Sequence, residues 1–207
     1  MPANRIAPLA SREGLGGAHF LLTFRHPETA REARPGQFVM MKAGLSAEPP
    51  LRRPFSILAT DPGRETFSLF VKAVGQGSSA LCAMAPGDEA LCLGPLGRPF
   101  TAPPAGTEAL LVAGGYGVAP FRFLGEELRR TGGRGRLFYG GRTAADLPLL
   151  ERRGGLGLPL VPATPQMLDQ EAAEALELEA ENNRQRVGVA EDPVEAVRVV
   201  EGVEVVG

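Results

Sequence analysis

Apolar and polar positions alternate in short runs over the first hundred residues, and the spacing predicts strands over 19–25, 37–42, 53–58, 66–73 and 89–94. Turn residues separate them: Pro35-Gly36 before the second, Asp61-Pro62-Gly63 before the fourth, Pro86-Gly87-Asp88 before the fifth. Between the last two runs, Gly77-Ser78-Ser79 leads into Ala80-Leu81-Cys82-Ala83-Met84, which predicts one short helix with a Ser at its N-cap. Short strands joined by tight turns predict a closed antiparallel β-barrel over residues 3–103.

The pattern changes after Pro103-Pro104-Ala105-Gly106, which sets the expected domain boundary: 1–103, then 104–207. A continuous apolar run at 109–113 ends in Gly114-Gly115-Tyr116-Gly117, and helical spacing follows over 121–130. A second apolar strand at 136–139 with Gly140-Gly141 behind it, a short helix at 145–153 and a third strand at 158–161 complete the alternation. Strand and helix in turn predict parallel β-α-β units, hence an α/β domain. Residues 167–186 are acidic, rich in Ala and Leu and free of Gly and Pro, which predicts a helix with one packed face. Such a helix also fits a dimerisation arm. Apolar alternation at Val187-Gly188-Val189 and over 194–206 predicts one or two terminal strands, and no internal repeat is present.

Composition narrows the function classes. The 27 glycines and 19 prolines among 207 residues exceed their usual combined share of roughly 12%, in keeping with turn-rich β structure. A net charge of −2, with 22 basic and 24 acidic residues interspersed, gives no field suited to nucleic acid or an anionic membrane. Without a basic and apolar leader or a run of roughly 18 apolar residues, the expected location is the cytoplasm. Cys82 and Cys92 make neither a disulfide framework nor a zinc spacing, and two thiolates are too few for an iron–sulfur cluster held by this chain alone, so no metal site is expected.

Candidate chemistry gathers in three stretches. Arg53-Pro54-Phe55-Ser56-Ile57 sets a charge inside an apolar strand, and the Pro breaks the hydrogen-bond ladder, leaving backbone free to face a ligand. Arg53 offers a planar fork of donors suited to a diphosphate, Ser56 a hydroxyl suited to a flavin ring edge, and Phe55 an apolar surface. An Arg paired with a surface carboxylate beside a buried Phe fits the same residues. In Lys72-Ala73-Val74-Gly75-Gln76-Gly77-Ser78-Ser79, small residues opening a helix let backbone N–H groups approach a phosphate, although a surface turn reads alike. Gly94-Pro95-Leu96-Gly97-Arg98-Pro99-Phe100 fits a tight turn between domains. In the third stretch, Leu110-Leu111-Val112-Ala113 runs into Gly114-Gly115-Tyr116-Gly117-Val118-Ala119-Pro120, the strand-to-helix turn where a doubly wound sheet binds a dinucleotide.

Taken in order, these motifs resemble the ferredoxin-NADP reductase superfamily, and within it the electron-transfer subunit of class 1B dihydroorotate dehydrogenase. The resemblance covers residues 3 to about 153 and is carried also by Pro35-Gly36-Gln37-Phe38-Val39, Pro86-Gly87-Asp88, Gly94-Pro95-Leu96-Gly97 and Tyr139-Gly140-Gly141-Arg142. It implies a six-stranded barrel that binds FAD, with Arg53, Pro54, Phe55 and Ser56 at the flavin and its diphosphate side. Val71, Lys72 and Ala73 would lie along the flavin or its linker, and Gly77, Ser78 and Ser79 would hold the diphosphate. Gly114, Gly115, Tyr116 and Gly117 would receive NAD(P)H, and no catalytic residue is assigned. The implied activity is that of an NAD(P)H-linked flavoprotein oxidoreductase that passes electrons to a partner protein, an FMN-containing catalytic subunit of pyrimidine biosynthesis.

The departures from the family bear on that activity. Family members end in a Cys-rich loop that ligates a [2Fe–2S] cluster, whereas this chain has no Cys after Cys92. The acidic Thr-initiated stretch after the third nucleotide-domain strand and the later Cys-Gly-Pro motif are also absent; Thr164-Pro165-Gln166 runs straight into the acidic helix. The 165–207 segment is therefore expected to be a truncated or replaced half of the nucleotide domain. FAD binding survives that loss better than NAD binding does. The alternative reading is a non-catalytic partner or regulatory module that retains the flavin barrel.

Overall fold

The computed structural model describes residues 4–45, 51–101, 103, 107–141, 143, 147–150, 158–163, 197–200 and 203–206. The chain divides into two compact units, Met1–Phe100 with Arg122–Leu124, and Thr101–Phe121 with Gly125–Gly207.

In the first unit the predicted alternation folds as β1 (Asn4–Gly14), β2 (His19–Arg25), β3 (Phe38–Ala43), β4 (Arg53–Asp61), β5 (Thr66–Lys72) and β6 (Glu89–Leu96). They close an antiparallel barrel in the order β1-β2-β5-β4-β3-β6. The period of two sends one set of side chains inward. Ala7 and Leu9, Leu22 and Phe24, Val39 and Met41, Phe67, Leu69 and Val71, and Ala90 and Cys92 make one buried cluster. The register between β2 and β5 is unbroken from His19↔Lys72 to Arg25↔Thr66.

Two helices connect the strands. α1 (Pro27–Glu32) follows β2, buries Thr29 and Ala30 and packs against β4, β5 and β6; α2 (Gln76–Ala83) follows β5 and packs against β3 and β5. Close approaches at two glycines set the end of the barrel. Gly36 has φ +91°, and a Cβ there would lie 2.9 Å from the Phe100 backbone nitrogen, which itself donates to the Pro35 carbonyl at 2.9 Å. At Gly94 a Cβ would meet Val39 Cγ1 at 2.7 Å, beside the bulge where β3 shifts register against β6. Residues 94–96 are accordingly the end of β6 packed on β3, and the chain that follows is tied back by Gln37 Nε2 donating to the Gly97 carbonyl at 2.9 Å.

The second unit carries β7 (Glu108–Gly114), α3 (Ala119–Thr131), β8 (Arg134–Gly140), β9 (Leu160–Ala163), β10 (Val197–Val200) and β11 (Val203–Val206). Its sheet runs β10-β11-β7-β8-β9, parallel from β11 to β9, with β10 antiparallel at the edge. α3 ends at Gly132, φ +74°, a left-handed cap whose N–H bonds the Leu128 carbonyl. Gly135 in β8 leaves room for Leu128: a Cβ there would lie 3.2 Å from both Leu128 Cδ1 and the Ala109 carbonyl.

The sequence expectations differ from this fold in particular places. β1 and α1 were not anticipated, and β4 continues three residues past the expected end at Leu58. Of the helix expected over 145–153, the described residues 147–150 form a turn closed by the Leu150 N–H on the Leu147 carbonyl. The helix expected over 167–186 and the Val187-Gly188-Val189 strand lie outside the described residues.

Candidate functional site

Pairing between β4 and β5 runs from Asp61↔Thr66 to Ile57↔Leu69 and goes no further. Beyond that point β4 keeps only β3, through Phe38↔Ser56, Val39↔Phe55, Met40↔Pro54 and Met41↔Arg53, while β5 keeps only β2. The barrel wall therefore parts between residues 53–56 and residues 70–72. Ile57 N–H donates to the Gln37 carbonyl on the β3 side at 3.1 Å. Backbone polar groups alternate sides along a strand, so Pro54 and Ser56 turn theirs toward the parting. Pro54 is tolerated because its missing N–H falls where no strand could receive it. Phe55 and Ser56 are half-buried here, and Val71 is buried with Lys72 and Ala73 half-buried on the opposite side.

The N-terminus of α2 lies against Arg53. A Cβ on buried Gly77 would stand 3.1 Å from Arg53 Cγ, so the arginine stem crosses the first helical turn only because that residue is glycine. The guanidinium donates to the Arg52 carbonyl at 3.2 Å, and no carboxylate partner is found for it among the described residues. Gly75 is the N-cap in place of the expected Ser. Ser78 acts from inside the turn: its Oγ accepts from the Val74 and Gly75 N–H groups at 3.1 Å each and donates to the Gly75 carbonyl at 3.2 Å. The first intrahelical bond is Ser79 N–H to the Gly75 carbonyl at 2.8 Å, leaving the N–H groups of Gln76, Gly77 and Ser78 without a helical acceptor. A guanidinium and a helix N-terminus side by side repel unless an anion lies between them. Of the residues sequence analysis singled out, Arg53 and Gly77 lie against each other, and 53–56 and 71–73 fall on the two sides of the parting between β4 and β5.

In the second unit, Gly114 ends β7, a single 3₁₀ turn covers Gly115–Val118, and α3 follows. Nothing lies within 4 Å of a Cβ added at Gly114, Gly115 or Gly117, and Tyr116 is exposed. β7 is flanked by β8 on one side and β11 on the other, so the chain order reverses across β7 and the turn sits at a topological switch point, the usual ligand position in open α/β sheets.

Residues 7–100 match the family of oxidoreductase FAD-binding domains. This segment has the FAD-binding, ferredoxin-reductase-like fold. The electron transfer subunit of dihydroorotate dehydrogenase B (NAD(+)) from Desulforamulus reducens is 41% identical over 109 residues, 53% of this chain and 42% of that protein. Its counterpart from Bacillus caldolyticus is 43% identical over 101 residues, 48% of this chain and 39% of that protein. The chain thus spans about two fifths of the curated relatives it matches. Among solved structures, an NADH-dependent reduced ferredoxin-NADP oxidoreductase superposes with a TM-score of 0.71 at 25% identity, over 86% of this chain and 66% of that one. The ferredoxin reductase of carbazole 1,9a-dioxygenase gives 0.68 at 22%, over 86% and 58%, which shows the fold.

The donors present are of the kind a flavin dinucleotide's diphosphate needs: glycine at position 77 lets the Arg53 stem pass, so that the cation lies beside the open N–H groups at the start of α2. Both cysteines are free and buried; burial pushes the Cys82 thiol up to about 11 and Cys92 to about 12, so both stay protonated at neutral pH. Among the described residues no group of three or more His, Cys, Asp or Glu is placed to hold a metal, and no helix is long and apolar enough to cross a membrane. Sequence analysis missed Arg12, whose Nε donates to the Cys82 carbonyl at the far end of α2. No local motif announces it, because its partner is 70 positions away.

Proposed function

We propose that the chain is an FAD-dependent electron-transfer oxidoreductase, with an FAD-binding domain over 1–103 and a nucleotide-binding domain over 104–207, that passes electrons between NAD(P)H and a partner protein. The observation that carries this reading is the parting of β4 from β5 with Arg53 lying across Gly77 at its edge. Arg53 and the N–H groups of Gln76, Gly77 and Ser78 neutralise the diphosphate, with Ser79 at its rim. Pro54, Phe55 and Ser56 on one side and Val71, Lys72 and Ala73 on the other hold the ring and exclude water from it. The flavin, when bound, supplies the change from two-electron to one-electron chemistry. Gly114, Gly115, Tyr116 and Gly117 receive the nicotinamide dinucleotide, supported by the open space at the three glycines. The named relatives are electron transfer subunits, which supports a catalytic partner subunit; that this partner carries FMN and that the two work in the cytoplasm is part of the same proposal.

Hydride transfer needs its reacting atoms roughly 3–3.5 Å apart and aligned, so a nicotinamide held only by its diphosphate loses rate far more than affinity. The chain lacks the family motifs that align it, and the expectation is measurable NAD(H) binding with slow flavin reduction. Anaerobic stopped-flow reduction by NADH and by NADPH checks this. Fast bleaching after deletion of residues 165–207 contradicts it.

A further inference from the structure

α2 is only eight residues long, about 12 Å, and too short to hold its place by its own hydrogen bonds. Its N-terminal turn is fixed by Ser78 and by the contact of Gly77 with Arg53. The C-terminal turn presents carbonyls that the helix cannot satisfy, and the Cys82 carbonyl receives Arg12 Nε from β1 at 2.5 Å. Arg12 is itself held. Leu22 lies opposite it on β2 and Phe20 diagonally, and the guanidinium carbon sits 4.5 Å from the Phe20 ring centroid. Phe20 in turn pairs with Val71 on β5, one of the residues that line the parting. One side chain therefore ties β1, β2 and α2 together, with its positive charge at the negative end of the helix.

We propose that Arg12 is a positioning residue for the cofactor diphosphate: by fixing the C-terminal end of α2 through the Cys82 carbonyl, it sets where the Gln76, Gly77 and Ser78 N–H groups point. The inference rests on the FAD reading above and adds a residue outside the opening to it. Arg12 touches no part of the cofactor. Its loss lets the short helix tilt or fray, so contacts to the diphosphate weaken while those to the ring, made by residues 54–56 and 71–73, stay in place.

Titration of the apoprotein with FAD and, separately, with riboflavin, which has no phosphate, distinguishes this role from a general structural one. Arg12→Ala is expected to raise the FAD dissociation constant roughly tenfold, the scale of a lost charge-assisted hydrogen bond, and to leave that of riboflavin unchanged. Arg12→Lys, which keeps a cation and a donor, recovers most of the loss. Should Arg12→Ala not fold, Arg12→Gln carries the same comparison. FAD binding at the wild-type level, or an equal loss for both ligands, overturns the proposal. Wild-type protein that takes up neither flavin overturns the cofactor reading itself, and this inference with it.

Discussion

Arg53 and Gly77 act as a pair, and each can be removed without the other. Arg53→Ala takes away the guanidinium at the α2 N-terminus and is expected to weaken FAD retention by about 1.5–3 kcal/mol, the range for a hydrogen bond to a charged group. Gly77→Ala places a methyl 3.1 Å from Arg53 Cγ; the arginine stem is flexible, so the fold survives while the guanidinium moves off its mark. Flavin titration beside thermal melting checks both: affinity falls and the apoprotein midpoint holds. His26 governs a different property. Its Nδ1 caps α1 by accepting the Thr29 N–H at 3.2 Å, and the side chain is buried, edge-on to Phe67. Burial holds its pKa below the ordinary 6.5; Arg5 adds to the lowering, while Glu28 and Glu32 oppose it. The unfolded chain therefore takes up a proton that the folded chain resists, so this contribution to stability is complete well above pH 6.5 and is lost as pH falls through that value toward the lower folded pKa. Denaturation midpoints between about pH 5 and 8 should fall on the acid side, and less so in His26→Asn, which keeps a cap acceptor without titrating in that range.

Among elements, the turn between α1 and β3 is the least tolerant. Gly36→Ala combines a positive φ with a Cβ 2.9 Å from the Phe100 backbone nitrogen, which no rotamer change relieves. It should cost roughly 1–3 kcal/mol of unfolding free energy, measured by denaturant titration. Elements bounded by strong turn signals were legible in sequence, and β2 matches its expected span residue for residue. β1 was not, because the bulge between Leu9 and Ser11 breaks its period and Pro8 interrupts it. α1 escaped notice because its cap is a histidine and it is six residues long. At α2 the helix was legible but its cap was not: Gly75 takes that position and Ser78 reaches back from within the turn. The motifs at 53–56 and 77–79 could be read singly as suited to phosphate. Their meeting across the parted wall is tertiary, set by where β5 leaves β4, and no periodicity encodes it.

At the scale of the whole molecule, the match to FAD-binding domains covers residues 7–100, and the proposed nicotinamide site lies in the second unit. β11 beside β7 supplies a parallel neighbour, so the Gly114 turn has a strand on either side of β7 and sits at a switch point of the sheet. The central claim is narrower than turnover: one chain holds one FAD at the opening beside Arg53. An FMN site needs a single phosphate cradle, whereas this opening offers a guanidinium and a helix N-terminus together. Purified protein released from its cofactor by denaturation, with the flavin separated by chromatography and counted against chain concentration, measures it directly. The account predicts FAD at about one equivalent per chain after saturation with excess flavin and desalting, in line with a single site. FMN in its place, or protein that stays colourless after that saturation, would contradict it.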